Sequence, residues 1–136
     1  MSDYQLVERL PTVAEFCDLR RLSGLTPKTE EAAAAGLPNT LYSVVVEHGD
    51  ETVGMGRIIG DGGTVYQIAD MAVLPAHQGK GQGKRIMQAL VGWLQANAPK
   101  SAYVNLIADG EAKNLYAQFG FAPTAPASIG MSMWIR

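Results

Sequence analysis

The sequence predicts one α/β domain of the α+β type, spanning residues 1–136. Two runs of β-branched residues, LYSVVVEH and TVGMGRII, are separated only by the turn-forming GDE. The turn sequence GDGG then leads into a third apolar run, TVYQIADMAVLP. These three runs predict an antiparallel meander, with helical patterns before and after it. A chain of 136 residues can bury one core without disulfides or a structural metal.

The segment before the meander predicts a strand and two helices. YQLVER has the pattern of a short first strand, and a helix with apolar residues at helical spacing begins at Pro11. The segment TPKTEEAAAAGL predicts a second, short helix. We expect Thr26 to be its N-cap and Gly36 to end it.

The segment after the meander predicts two further helices and two strands. The helix that follows QGKGQGKR ends before Pro99, and AYVNLIA is predicted as the fifth strand. DGEAKNLYAQFG predicts a helix from residue 109 to 120, and SMWIR predicts a terminal strand. The predicted order is β-α-α-β-β-β-α-β-α-β. The helix after the glycines has one apolar stripe, formed by Ile86, Met87, Leu90, Val91 and Leu94.

Charge and hydropathy bear on the partners of the chain. The formal charge of −2 and pI near 5.6 do not favour nucleic-acid binding, although Lys80, Lys84 and Arg85 form a local basic cluster. The first residues, MSDYQLVERL, lack the cationic start and apolar centre of a signal sequence. No apolar run approaches the roughly 20 residues that a membrane helix needs. These features predict a soluble cytoplasmic protein.

Cysteine and histidine give no pattern of a reactive or metal site. Cys17 is the single cysteine, so no internal disulfide can form, and it falls in a helical apolar pattern that predicts a core position. His48 and His77 stand far apart without clustered partners. We therefore expect neither a metal site nor a nucleophilic cysteine.

The segment QGKGQGKR, residues 78–85, stands where an apolar run gives way to a helix. A helix N-terminus offers unpaired N–H groups and the positive end of the helix dipole. Glycine also lets an oxyanion approach the backbone closely. The segment therefore predicts a phosphate-binding loop.

Two common phosphate-binding motifs do not fit this segment. A P-loop with its lysine at Lys84 needs glycine at Gln78 and serine or threonine at Arg85. A dinucleotide fingerprint that starts at Gly79 needs glycine at position 84. Started two residues later, it needs a small residue at Ile86.

The pattern that remains is Q-x-x-G-x-G, formed by Gln78, Gly81 and Gly83. It resembles the pyrophosphate loop of the GNAT superfamily of acetyl-CoA-dependent N-acetyltransferases, and the predicted order of elements matches that superfamily along almost the whole chain. The resemblance implies a single GNAT-like domain with a mixed, mostly antiparallel sheet and helices on both faces. It also implies that the fourth and fifth strands splay apart, so that the pantetheine arm of the cofactor lies in the gap.

The resemblance implies acetyl-CoA as the co-substrate, without a metal. Backbone N–H groups of the loop would wrap the pyrophosphate, and the backbone of the strand DMAV would pair with pantetheine and direct one N–H at the thioester oxygen. The alternatives are an ordinary glycine-rich turn and a purely structural strand. The candidate cofactor-binding residues are Met71, Ala72, Val73, Gln78, Gly79, Lys80, Gly81, Gln82, Gly83, Lys84, Asp109 and Asn114.

Asp70 is the unexpected residue of that strand. Simple alternation places it on the same face as Ile68, Ala72 and Leu74, where a charge is costly unless it is paired or protonated. A buried carboxylate with a raised pKa could take the proton of the attacking amine, and we predict this catalytic role. The alternative is a structural Asp70 that bonds a loop or marks a bulge. Gln67 stands where some family members have a glutamate or histidine, and an amide cannot act as a base.

A second motif, NLYAQFGF, resembles the family's segment that contacts the cofactor and protonates the departing thiolate. The matching residues are Asn114 and Tyr116. A phenol with a pKa of about 10 is protonated near neutrality and suits this task. The alternative for Tyr116 is a core aromatic.

Three segments resemble the small arylalkylamine (serotonin-type) acetyltransferases: IADMAVLPAHQGKGQGK, LIADGEAKNLYAQFGF and the terminal Gly130–Met131. In that branch the positions of Asp70, Asp109 and Tyr116 act in catalysis or cofactor affinity. The chain departs from the branch at two positions, Ala69 for tryptophan and Tyr103 for asparagine.

The sequence thus predicts acetyl transfer from acetyl-CoA to a primary amine of a small molecule, such as an arylalkylamine or a polyamine. Direct attack in a ternary complex is expected, since no nucleophile for an acyl-enzyme is present. The alternatives are a protein N-terminal or lysine acetyltransferase and a non-catalytic acyl-CoA-binding sensor domain. The resemblance also implies a homodimer, and no nucleic-acid or membrane partner is expected.

Overall fold

The computed structural model describes residues 3–136 and divides the chain into two compact units, one ending at Leu106 and the other spanning Ile107–Arg136. A five-stranded sheet organises the first unit, with its strands in sequence order. The strands are β1 (Tyr4–Val7), β2 (Tyr42–His48), β3 (Glu51–Gly60), β4 (Val65–Val73) and β5 (Tyr103–Asn105). The helices are α1 (Val13–Leu22), α2 (Glu30–Gly36) and α3 (Gln82–Asn97) in the first unit and α4 (Ala112–Ala117) in the second.

Strands β1 to β4 pair antiparallel, and β5 pairs parallel to β4. This arrangement confirms the predicted meander and the mixed, mostly antiparallel sheet. The parallel pairing consists of only three residue pairs and ends where Gln67 faces Asn105. Strand β4 continues to Val73 while β5 ends at Asn105. The two strands therefore part, as predicted for the fourth and fifth strands.

Three predicted boundaries differ from the structure. The N-cap of α2 is Thr29 and not Thr26, because the Thr29 hydroxyl accepts the N–H of Ala32 at 3.1 Å. Helix α4 and strand β5 are both shorter than predicted. The predicted terminal strand SMWIR does not form. A strand needs a hydrogen-bonding neighbour, and the unit Ile107–Arg136 contains no strand.

Two layers of apolar side chains cover the sheet of the first unit. On one face, α3 buries Ile86, Met87 and Leu90 completely. On the other face, α1 and α2 pack on the sheet in one cluster, against which Cys17 also packs. This cluster consists of Phe16, Leu19, Ala33, Leu37, Val45, Met55 and Ala72.

A capping box and an ion-pair network fix the start of α1. Thr12 and Glu15 cap each other through backbone N–H groups, and Arg9 donates to Glu15 and to Glu47 of β2. The Arg9 hydrogen bond is the largest cause that lowers the pKa of Glu15, from 4.5 to about 2. The hydroxyl of Thr52 on β3 also donates to Glu15 at 2.5 Å. The network therefore ties α1 to two strands.

We predict that Glu15→Gln lowers the melting temperature at pH 7. Because the folded-state pKa of Glu15 lies below its ordinary value, the ionised group stabilises the fold above about pH 4.5, and this contribution is lost as the pH falls toward 2. Thermal unfolding of both proteins should show a difference that shrinks between pH 4.5 and 2. Glu31→Gln, at an exposed position in the first turn of α2, is the matched control. A difference that is independent of pH would contradict the network.

Candidate active site

A bulge in β4 shapes the centre of the first unit. Arg57 of β3 faces Ala69, and Met55 faces Ala72, so two residues of β4 stand opposite Gly56 alone. The first of these two, Asp70, has a φ of 58°, in the left-handed region. The bulge therefore turns Asp70 out of the regular alternation.

The bulge places Asp70 on the face that α1 covers. Simple alternation predicted that Asp70 shares a face with Ile68, Ala72 and Leu74, which is correct for Ala72 and Leu74 but wrong for Ile68. Ile68 faces Ile58, on the α3 side with Gly56, where a Cβ on Gly56 would lie 2.6 Å from Ile86. Asp70 instead contacts Arg20 of α1, on the side of the α1 and α2 cluster. One extra residue therefore changes which helix the carboxylate meets.

Two arginines hold the carboxylate of Asp70. Nη1 of Arg20 donates to Oδ1 and Nε of Arg57 donates to Oδ2, both at 2.5 Å. The Asp70 side chain is only 7% exposed, and those of Arg20 and Arg57 are 10% and 15% exposed. The guanidinium carbons of both arginines lie over the ring of Phe16, at 5.8 and 5.6 Å from its centroid. The sequence predicted that a charge at Asp70 needs a partner, and each oxygen of its carboxylate accepts from one arginine.

Beyond the β4–β5 pairs lie the candidate pantetheine-binding residues. The side-chain amide of Gln67 donates to the side-chain Oδ1 of Asn105 at 3.0 Å, at the last pair before the strands part. Met71 is the second residue of the bulge, and Ala72 and Val73, which follow it on β4, pair with β3 but not with β5. One edge of this stretch therefore lacks a strand partner in the first unit, which is the kind of edge on which an extended ligand can bind.

The glycine loop leads into the N-terminus of α3. Gly79 and Gly81 have φ values of 73° and 80°, and a Cβ at either position would meet no atom within 4 Å. Gly81 is the N-cap of α3 and offers no side-chain cap, whereas Thr12 and Thr29 cap the two preceding helices. The N–H groups of the first turn of α3 are thus open for an anion, and the residues fit a pyrophosphate.

The side chains of the loop have different surroundings. Lys80 and Lys84 are exposed, as a direct contact with phosphate in solution would require. The Gln78 amide donates to the Val73 carbonyl at 2.8 Å and so ties the loop to the end of β4. Gln82 is 5% exposed and donates weakly to the Lys80 carbonyl at 3.4 Å. Gly83 lies in the first turn of α3.

The remaining candidate residues lie in the second unit. Tyr116 of α4 is buried, and burial, followed by the charge of Asp109, raises the pKa of its phenol. Asn114 is exposed, and its amide donates to Glu111 at 2.8 Å. Asp109 is also exposed. The phenol of Tyr116 therefore keeps its proton at neutral pH.

Sequence reasoning missed three residues of the site. Arg20 and Arg57 pair with Asp70, and Asn105 pairs with Gln67. The signal for Arg20 was available, since it lies four residues after Phe16 on the apolar face of α1, where a charged residue needs a partner. The partner itself depends on the bulge, which alternation does not predict.

No group of three His, Cys, Asp or Glu side chains in residues 3–136 could hold a metal ion. No helix in this part of the chain is long and apolar enough to span a membrane.

Residues 39–123 match the family model described as an acetyltransferase (GNAT) domain, which is more than half of the chain. The chain belongs to the GNAT acetyltransferase family. It is therefore an acyltransferase enzyme, and acetyl-CoA is the co-substrate of this family. The resemblance to the superfamily is confirmed, while the serotonin-type branch stays a prediction. A search of curated protein sequences gives no match.

Solved structures agree with this family. A probable acetyltransferase of unknown function from meticillin-resistant Staphylococcus aureus is 45% identical, with a TM-score of 0.94 over 97% of this chain and 99% of that one. A GNAT acetyltransferase from Streptococcus pneumoniae is 25% identical, with a TM-score of 0.77 over 98% of both chains. Glucosamine-6-phosphate N-acetyltransferase from Arabidopsis thaliana shares the fold at 18% identity, with a TM-score of 0.68 over 97% of this chain and 99% of that one.

We predict that Gly81→Asp or Gly83→Asp abolishes CoA binding. Each change brings a carboxylate against the pyrophosphate at the N-terminus of α3, and at Gly81, whose φ is 80°, it also strains the backbone. Isothermal titration calorimetry with CoA measures the effect, and circular dichroism checks the fold. Gly92→Asp adds the same charge at an exposed position of α3 where a Cβ meets no atom within 4 Å, and should bind CoA normally. Unchanged CoA affinity in Gly81→Asp would refute the assignment.

Proposed function

We propose that this acetyltransferase acetylates a primary amine of a small molecule by direct attack in a ternary complex. The observation that carries the proposal is the bulge of β4, because it is followed by a strand edge without a partner in the first unit and then by the glycine loop. One continuous segment, from Asp70 to Lys84, could therefore hold the cofactor from its thioester to its pyrophosphate.

Cofactor binding falls to the backbone of this segment. N–H groups from Gly79 to Lys84 would bind the pyrophosphate, and the exposed Lys80 and Lys84 would add charge. The edge of Met71, Ala72 and Val73 would hold the pantetheine arm and direct an N–H at the thioester oxygen. Asn114 and Asp109 of the second unit are proposed as further contacts to the cofactor.

The transfer removes two protons from the nitrogen and supplies one to the sulfur. The ammonium first loses one proton to the base, the amine nitrogen attacks the carbonyl carbon of the thioester, an N–C bond forms, and the C–S bond breaks. We propose that Tyr116 gives its phenolic proton to the departing thiolate, since a phenol whose pKa is raised by burial is protonated at neutral pH. The phenolate is then reprotonated by the second proton, which the nitrogen loses once the N–C bond has formed.

Two candidates could deprotonate the amine, namely Asp70 and an ordered water. Asp70 is the carboxylate at the bulge and is the candidate base, but both of its oxygens already accept from arginines. Each oxygen keeps a second lone pair that could take a proton, but protonation would remove the charge that pairs with the two arginines. An ordered water would take the proton if Asp70 is structural.

A covalent acyl-enzyme is not required by this scheme. Cys17 lies on α1, packs against the apolar cluster and directs its thiol at the Lys28 carbonyl, 3.7 Å away. A thiol that packs against core residues is a poor nucleophile.

Two other functions remain candidates. A protein N-terminus or lysine could be the acceptor, and a chain that binds acyl-CoA without catalysis could act as a sensor. Acetyl-CoA hydrolysis or transfer stimulated by a panel of small amines supports the enzyme, and CoA binding without any turnover supports the sensor. An arylalkylamine or a polyamine is the acceptor that the sequence suggests.

We predict that Tyr116→Phe lowers kcat by about 10- to 1,000-fold with little change in CoA affinity, because it keeps the ring and removes only the proton. Tyr103→Phe, at a position that is 56% exposed, is the control and should keep wild-type kcat.

Asp70→Asn tests whether Asp70 is the base or only a structural partner of the arginines. Loss of the acidic limb of the kcat/KM profile over pH 6 to 9 supports the base, while a lower melting temperature with the limb retained supports the structural role.

We further propose a homodimer that involves the terminal segment, where Met131, Met133 and Ile135 are 81–89% exposed. Sedimentation at micromolar concentration should show a species of twice 14.5 kDa, and a monomer alone would reject the dimer.

A further inference from the structure

We propose that Arg20, Asp70 and Arg57 form an anion-binding site for the acceptor, so that the amine to be acetylated carries a carboxylate or phosphate of its own. This inference rests on the proposed function and names its substrate class, an acidic amine in place of the arylalkylamine or polyamine that the sequence suggests. The three residues, called the arginine clamp below, lie entirely within the first unit.

The charges of the clamp do not balance. Two guanidinium groups face one carboxylate, which leaves one excess positive charge among side chains that are at most 15% exposed. The remaining polar contacts are neutral, from Arg20 to the Thr26 carbonyl and from Arg57 to the Thr40 hydroxyl. In residues 3–136 neither arginine has a second carboxylate partner. A largely buried excess charge is costly, and a bound anion removes that cost.

The clamp also has unused donors. The hydrogen bonds of Arg20 and Arg57 use Nε and Nη1 of each, and in the described part of the chain no acceptor lies on either Nη2. No fully buried side-chain nitrogen or oxygen there lacks a partner, so both Nη2 groups reach solvent. Both guanidinium groups bond to the same carboxylate, and their carbons lie 5.8 and 5.6 Å from the centroid of the Phe16 ring, so the two groups are neighbours. Open N–H groups on two neighbouring guanidinium groups suit the oxygens of a carboxylate or phosphate.

The position of the clamp fits the acceptor and not CoA. Asp70 precedes Met71, so an anion on the arginines would lie beside the stretch proposed to hold the thioester arm. The phosphates of CoA are assigned to the loop from Gly79, beyond the end of β4. The strand from Asp70 to Val73 alone rises about 10 Å. A small amine with a nearby oxyanion would span from the clamp to the thioester.

This charge pattern separates acceptor classes. An oxyanion beside the amine, as in an amino acid or an aminoalkyl phosphate, would bind the excess positive charge. A polyamine would be repelled by it, and an arylalkylamine without an acid would leave it unpaired. The arginine clamp therefore favours acceptor amines that carry an acid group.

Acetylation of matched pairs of amines tests the inference. Phenylalanine against phenethylamine adds a carboxylate, and 2-aminoethyl phosphate against ethanolamine adds a phosphate. We expect kcat/KM to favour at least one acidic member by about 10- to 100-fold, and the preferred pair tells carboxylate from phosphate. Arg57→Gln should remove the preference, mainly through KM, and leave CoA affinity unchanged. Asp70 keeps Arg20 as its partner in this variant.

Arg21→Gln is the matched control, since it removes an exposed arginine of the same helix, which pairs with Asp18. It should keep the preference. Equal kcat/KM within both pairs, or a preference that survives in Arg57→Gln, overturns the inference while the acetyltransferase proposal stands.

A second readout does not need turnover. In the CoA-bound protein, titration with phenylalanine or 2-aminoethyl phosphate should shift the side-chain 15N resonances of Arg20 and Arg57, whereas phenethylamine and ethanolamine should not. Absence of a shift with both acids overturns the inference. Absence of CoA binding and of acetylation of every amine refutes the proposed function instead, because the clamp can bind an anion without either.

Discussion

The ion pairs of Asp70 with Arg20 and Arg57 connect the three elements on which the site depends. They join α1 to β3 and to the bulge of β4, and they hold a residue with a φ of 58° in place. Removing Asp70 would leave two largely buried arginines without their carboxylate, and a buried charge that loses its partner costs about 3–5 kcal/mol. The same contact fixes where β4 leaves regular alternation, just before its edge becomes available to a ligand.

Much of the fold could be predicted because its signals are local. The β-branched runs gave the meander, and the stripe on α3 and the glycines before it gave the loop. The terminal strand could not be predicted correctly, because SMWIR has the composition of a strand but strand formation depends on a neighbour. The N-cap of α2 was misplaced since Thr26 and Thr29 both precede suitable residues, and only the acids in the first turn favour Thr29.

The site was predictable to a different degree in each part. The glycine loop follows from spacing, and the structure adds the left-handed φ of Gly79 and Gly81. Asp70 stands out in the sequence as a charge among apolar residues. Alternation grouped it correctly with Ala72 but wrongly with Ile68, because a bulge has no reliable sequence signal. Its partners lie 50 and 13 residues away in sequence, and such long-range pairing depends on the folded topology.

The segment from Asp70 to Lys84 is proposed to receive the cofactor, with the thioester end at the bulge. A crystal structure with bound CoA tests this most directly. We predict pyrophosphate on the backbone N–H groups of Gly79 to Lys84, pantetheine along Met71 to Val73, and the thiol beside the bulge with the Asp70 ion pairs intact. Pyrophosphate bound elsewhere, or a thiol directed away from β4, would contradict the account.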